Sequence, residues 1–288
     1  MSIQTSRGCP LDCDFCSVTA FNGRQYRRRP TDDVLDELET IAGELLFFVD
    51  DNIIGYGRHS REATLNLFRG MVERGMDKQW FCQASVNVAD DPEVLEWASR
   101  AGCRMIFLGI EAEDEDALRS VNKRLNAKRG TGTYNETFRR IHSAGIAVLG
   151  AFIFGIDGDT PAALVRRADY IIESDVDVMQ TTAMTPLPGT RLFQQFKSER
   201  RLLYTDFPRD WDRYNLTEVV FEPSAMAADE FNHTMRECLD RIYDMQILKA
   251  KAKQTLQATG RWDATEFAWE SNLSYREIAM AESTFAVR

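Results

Sequence analysis

The run Arg7-Gly8-Cys9-Pro10-Leu11-Asp12-Cys13-Asp14-Phe15-Cys16 sets three thiols at C-x3-C-x2-C spacing, with no fourth cysteine nearby. Thiolates are soft ligands that suit iron–sulfur clusters and zinc. A four-iron cluster has four corners, so three local thiolates leave one iron open to a substrate or cofactor. An open corner favours chemistry over a closed structural staple. Zinc is the competing occupant, and its four-ligand habit would have to recruit Cys82, Cys103 or a histidine. A disulfide is the lesser alternative, because nothing marks the chain as secreted.

Elements that position such a loop are legible around it. Apolar runs alternate with amphipathic stretches. Strands are expected over Ile3–Ser6, Leu45–Val49, Trp80–Val86, Arg104–Ile110, Ile146–Phe154 and Val178–Ala183. Between them the spacing predicts a helix capped by Thr31, then helices over Ser60–Arg74, Pro92–Ala101, Asp114–Val121, Tyr134–Ala144 and Pro161–Ser174. Strands alternating with helices pair in parallel, and buried parallel strands read as continuous apolar runs. The fold class expected is α/β, a partial (β/α)6 TIM-like barrel over residues 1–204, with a mostly helical extension over 205–288 packing on it.

In such barrels functional groups gather where strands run into their following loops. Five signals fall there: the cysteines, Asp50-Asp51-Asn52, Glu111, Gly155-Ile156-Asp157-Gly158, and Thr185-Pro186-Leu187-Pro188-Gly189-Thr190. Their shared placement says more than any one of them.

The cysteine run, with Phe15 before its third cysteine, resembles the cluster loop of the radical S-adenosylmethionine superfamily, and the resemblance extends over residues 1–200. It implies a four-iron, four-sulfur (4Fe-4S) cluster on Cys9, Cys13 and Cys16. The open iron would chelate the amino and carboxylate groups of S-adenosylmethionine. Reductive cleavage would then give methionine and a 5'-deoxyadenosyl radical acting on a small organic substrate. An electron donor such as flavodoxin or ferredoxin is implied with it.

Gly109-Ile110-Glu111 looks like the family's fourth-strand Gly-x-Glu, so Glu111 would contact the bound cofactor. Ile153-Phe154-Gly155 is similar to the fifth-strand element beside the adenine, and Phe15 would cover the cluster. Asp50, Asp51 and Asn52 stand where many members carry Gly-Gly-Glu, so which of their atoms bind is open. Lys123 and Arg124 are candidates for pairing the S-adenosylmethionine carboxylate, or else an ordinary helix end.

Asp50-Asp51-Asn52 and Thr185–Thr190 also resemble the cobalamin-associated branch, which includes hopanoid methylases. That branch usually carries a cobalamin-binding domain first. The chain begins almost at the first barrel strand, so cobalamin is expected only through a separate partner. Two alternatives stand beside the enzyme: a non-catalytic iron–sulfur or zinc-binding partner protein, and a methyltransferase using an external cobalamin subunit.

Composition agrees with a cytoplasmic enzyme. The 288 residues are 44% hydrophobic and 28% charged, without a basic-then-apolar leader or an apolar stretch of the roughly 20 residues needed to span a bilayer. A net charge of −10 argues against a broad nucleic-acid surface. Tyr26-Arg27-Arg28-Arg29-Pro30 is a local basic exception, expected as a solvated loop. His59, His142, His233, Cys82, Cys103 and Cys238 are expected to be structural. One long helix is expected over Ala228–Ala258, and Trp211, Tyr214 and Phe221 either wall the substrate cavity or pack in the core.

Overall fold

The computed structural model describes residues 1–281; positions 282–288, the end of the expected extension, lie outside the described residues. In chain order the strands are β1 (Ser2–Ile3), β2 (Ser6–Arg7), β3 (Arg27–Arg28), β4 (Leu45–Phe48), β5 (Gln79–Ala84), β6 (Cys103–Glu111), β7 (Ala147–Phe154) and β8 (Val178–Ala183). β1 and β4 to β8 form one six-stranded parallel sheet in that order, while β2 and β3 pair as a separate antiparallel ribbon. Helices α1 (Ser17–Asn22), α2 (Thr31–Thr40), α3 (Gly57–Glu73), α4 (Pro92–Arg100), α5 (Glu115–Ser120), α6 (Arg124–Arg129), α7 (Tyr134–His142), α8 (Pro161–Glu173) and α9 (Arg191–Ser198) link or follow them. This is the expected partial (β/α)6 barrel.

Local chemistry sets the boundaries. Asp91 caps α4 by accepting from Val94 N at 3.2 Å, and Thr160 caps α8 by accepting from Ala163 N at 3.3 Å, each followed by proline. Thr31 is not the expected cap. It is the first helical residue of α2, and Pro30 takes the cap position without a side-chain bond.

Two other expectations are corrected. The first strand ends at Ile3, because Thr5 and Ser6 turn aside to bond the buried Asp50 carboxylate; Thr5 Oγ1 donates to Asp50 Oδ1 at 2.7 Å. The long C-terminal helix is two, α10 (Ala228–Ile242) and α11 (Met245–Thr259). Tyr243 leaves the helix to donate its hydroxyl to Met179 O at 2.6 Å, and Asp244 restarts it by capping Gln246 N.

The last helix, α12 (Trp262–Ala281), closes the floor of the barrel. Ala264 and Ala268 pack with Met105, Ala147, Leu149 and Val178 from the beginnings of the strands. Asn272 also satisfies the outer edge of β8, accepting from Met179 N at 3.1 Å and donating to Asp177 O at 2.8 Å. An exposed sheet edge is thereby covered. With the floor filled, a cavity opens at the opposite rim, where the strands end.

Beneath that floor Lys251 is buried, donating to Ser174 O at 2.5 Å. Burial lowers its pKa to about 8, with Asp177 and Asp175 opposing. Between pH 8 and the unfolded lysine value the unfolded chain therefore binds the extra proton, so this group's contribution to stability rises with pH. Denaturant unfolding of wild type and Lys251→Met should show a difference that changes by up to about 1.4 kcal/mol per pH unit in that window. A pH-independent difference would refute the assignment.

Candidate active site

The cysteine loop leaves β2 and is tied down on several sides. Gly8 N donates to Asp51 Oδ2 at 3.2 Å, and Cys9 N to Gly23 O at 3.3 Å. Asn122 Nδ2 donates to Asp12 O at 2.7 Å, and Asp14 N to Val121 O at 3.1 Å. At the other side Arg191, at the start of α9, donates Nε to Asp14 Oδ1 and Nη1 to Asp12 Oδ1, both at 2.7 Å. The Thr185–Thr190 segment borders the site through Leu187 and braces the loop through Thr190, which caps α9 and so presents Arg191 to it.

A cavity of about 310 Å³ opens at the strand ends. It gathers Cys9, Cys13, Cys16 and Phe15 with Asp51, Asn52, Gly109, Glu111 and Ile153. Asp50 and Gly155 do not line it. Asp50 is occupied behind the loop by Thr5 and Ser6. Gly155 donates its amide to Asp159 Oδ2 at 3.1 Å, and a Cβ there would meet the Phe231 ring at 2.2 Å, so it serves packing against α10.

Glu111 is aimed into the cavity by its backbone. The register of β6 against β7 shifts between Gly109 and Glu111, and Glu111 has φ +66°. Such a bulge with a left-handed non-glycine residue re-aims a side chain at some conformational cost. Its carboxylate is 2.6 Å from Lys123 Nζ, and both side chains are largely buried. Burial alone would lower the Lys123 pKa, but Glu111 and Cys13 more than reverse this and hold the ammonium above the ordinary lysine range. Arg124, by contrast, is an exposed helix start bonded to Asn122 Oδ1 at 2.5 Å and lies off the cavity. Burial pushes the Cys13 thiol up to about 11 and raises Cys9 and Cys16, with Lys123 opposing in each case. Metal binding to these thiols would therefore release protons.

Several lining residues escaped the sequence reading: Gln83, Ser85, Asn126, Gln180 and Thr182. Gln83 carries a signal, as a polar position next to Trp80, Phe81, Cys82 and Ala84 in β5, whereas Gln180 and Thr182 sit in a stretch of β8 where Thr181 is polar as well and no alternation marks them. Leu216 also lines the mouth, held at φ +72° while its carbonyl accepts from Ala183 N at 2.7 Å. Trp211, Tyr214 and Phe221 do not line it. Tyr214 and Trp211 pack with Phe193 and Phe207, and Phe221 stacks on Phe196 at 4.7 Å.

The residues fit a cluster with a polar organic cofactor beside it. Asn52 Oδ1 and Gln180 Oε1 are buried acceptors without a partner among the described residues, and both residues line the cavity. A Cβ on Gly109 would come within 2.5 Å of Glu111 Oε1 and 2.7 Å of Lys123 Nζ, so glycine keeps that wall open. Among the described residues no three His, Cys, Asp or Glu side chains are gathered tightly enough for a single metal ion. Cys82 and Cys103 are buried off the cavity; His142 bonds Asp177 at 2.7 Å, and His59 and His233 are exposed.

A parallel half-barrel with three thiols on its first loop defines an enzyme class built around a thiolate-held cluster. The family model for the radical SAM superfamily matches residues 3–171, and the chain belongs to that superfamily. Membership implies a 4Fe-4S cluster and S-adenosylmethionine as cofactors.

The chain is 31% identical over 247 residues to the bacteriochlorophyllide d C-12(1)-methyltransferase of Chlorobaculum tepidum, covering 84% of this chain and 51% of that protein. It is 35% identical over 256 residues to the hopanoid C-2 methylase of Rhodopseudomonas palustris, covering 86% and 45%. The chain spans about half the length of these curated relatives. Among solved structures it resembles the radical S-adenosylmethionine methyltransferase TsrM from Kitasatospora setae, with a TM-score of 0.63, 17% identity and coverage of 99% and 61%. The cobalamin-dependent radical enzyme OxsB gives a TM-score of 0.65 at 16% identity, covering 96% and 46%. No helix among the described residues is long and apolar enough to cross a membrane.

Proposed function

We propose that Cys9, Cys13 and Cys16 hold the cluster, and that Glu111, Asn52 and Gln180 orient S-adenosylmethionine against it for attack on a small organic substrate at the cavity mouth. The observation that carries this is the convergence of the three cysteines, the bulge-aimed Glu111 and two unpartnered buried acceptors on one cavity. When bound, the cluster and S-adenosylmethionine supply reductive cleavage to methionine and an adenosyl fragment that abstracts hydrogen. Phe15, 5.9 Å from Lys123 Nζ at its ring centre, supplies an apolar wall. Ile153 and Leu216 narrow the opening and limit water. Asp51 holds the base of the cysteine loop through Gly8 N and Asn22 Nδ2.

Anaerobic reconstitution with iron and sulfide, followed by reductant and S-adenosylmethionine, is expected to yield 5'-deoxyadenosine in wild type and none in Cys13→Ala. A tightly zinc-loaded chain without cleavage would favour the non-catalytic reading. A second reading, methyl transfer, is favoured by the names of the matched relatives. It predicts methylated product and S-adenosylhomocysteine only when cobalamin or its carrier protein is supplied, and no residue of this cavity is assigned to cobalamin.

A further inference from the structure

Beyond β5 the chain enters a short 3-10 helix, Val86–Asp90, with Ser85 at its cap position. A serine there ordinarily bonds a backbone N–H of the first turn. Ser85 makes no such bond. Its hydroxyl proton goes instead to Asn87 Oδ1 at 2.7 Å, and its oxygen accepts from Asn52 Nδ2 at 2.9 Å. Asn52 and Ser85 line the cavity, whereas Asn87 lies off it. The three side chains form a relay that starts behind the site and ends on its wall.

Hydrogen-bond polarity runs one way along that relay. A serine hydroxyl carries a single proton. With that proton given to Asn87, Ser85 can only accept from Asn52. Asn52 must then turn its NH2 group to Ser85, and the polar atom it keeps for a ligand is Oδ1, buried and without a partner among the described residues. Its backbone carbonyl offers no alternative, since both lone pairs are used by Tyr26 Oη at 2.8 Å and Gly55 N at 3.1 Å. Asp51 lines the same corner, its Oδ2 accepting from Gly8 N at 3.2 Å and Asn22 Nδ2 at 3.3 Å. Acceptors and negative charge together suit a cationic donor and repel a carboxylate. S-adenosylmethionine carries an ammonium and a carboxylate on one carbon, so the orientation of a single amide can tell them apart. We infer that Ser85 and Asn87 are positioning residues: they lock the Asn52 amide with its oxygen left for the cofactor, and make this corner the seat of the S-adenosylmethionine ammonium. This rests on the placement of that cofactor proposed above.

The test measures binding to cluster-loaded, unreduced protein by equilibrium dialysis, using S-adenosylmethionine and its analogue without the α-amino group. Wild type should prefer S-adenosylmethionine by about tenfold. Ser85→Ala frees Asn52 to rotate and should erase most of that preference, weakening S-adenosylmethionine and leaving the analogue unchanged. Ser85→Thr keeps the hydroxyl and should keep the preference. Position 87 checks the polarity. Asn87→Asp still accepts the serine proton and should bind like wild type. Asn87→Leu releases that proton to Asn52 Oδ1 and should behave like Ser85→Ala. Iron content per chain should match wild type in every variant. Equal losses for both ligands in Ser85→Ala and Asn87→Leu, or no loss in either variant, overturn the inference. A wild type that binds the two ligands equally also overturns it, while leaving the cofactor site in place. If wild type binds neither, the cofactor placement itself fails and the relay's role falls with it.

Discussion

Replacing Gly8 with alanine is expected to abolish iron loading as completely as removing Cys13 itself. Gly8 has φ +92°, and a Cβ built there lies 2.2 Å from Gln25 O and 3.1 Å from Gly23 O. The obstructing atoms are main chain of the turn between α1 and β3 that supports the loop, so no side chain can swing aside. Relief must come from moving Gly8 or Gln25. Gly8 N and Cys9 N make the two bonds that seat the Cys9 end of the loop, to Asp51 and Gly23, and both would be lost or lengthened. The conformational penalty alone is about 1–2 kcal/mol, too little to unfold a domain. Gly43→Ala separates strain from displacement: Gly43 has a similar φ of +96° with nothing within 4 Å of its Cβ position. That variant should lose a comparable increment of stability and load iron normally. Iron and sulfide content per chain after anaerobic reconstitution is the measurement, and normal loading of Gly8→Ala would show that the loop tolerates a shifted Cys9.

The barrel was legible because most of its strands are predominantly apolar runs. Ala147–Phe154 could be nothing but a buried parallel strand, and its Pro161-initiated helix announces the crossover. The cysteines were legible because their spacing is local. What escaped was everything fixed at long range. Asp50, Asp51 and Asn52 are adjacent in sequence and look equivalent. Yet the turn at the end of β4 sends Asp50 behind the loop to Thr5 and Ser6, while Asp51 and Asn52 reach the cavity. The basic run 26–30 reads as one solvated loop, whereas pairing of Arg27–Arg28 with Ser6–Arg7 splits it into an inward Arg28 and outward Arg27. The break at Tyr243 depends on the carbonyl of Met179, which no helical periodicity can foresee. Lys123 was visible as a candidate cation for the cofactor; the structure places it in the cavity wall and pairs it with Glu111, twelve positions back across a bulge, a partner the sequence did not show.

That pairing sets the second large effect. Lys123→Met keeps the length and apolar stem of the side chain but leaves the Glu111 carboxylate without its cation. Their side chains are only 12% and 8% exposed, so water can do little to compensate. Removing one member of a buried pair costs about 3–5 kcal/mol, because the surviving charge is stranded. Removing both costs much less, since neither charge then has to be desolvated. Urea unfolding should therefore show Lys123→Met strongly destabilised and Lys123→Met/Glu111→Leu near wild type, a recovery of about 3–5 kcal/mol on adding the second change. Cofactor binding separates the pair's two roles. If Glu111 orients S-adenosylmethionine, the double variant should fold well and still fail to retain it in equilibrium dialysis after reconstitution. A stable double variant that retains S-adenosylmethionine like wild type would reduce Glu111 and Lys123 to a structural clasp for the bulge at the end of β6.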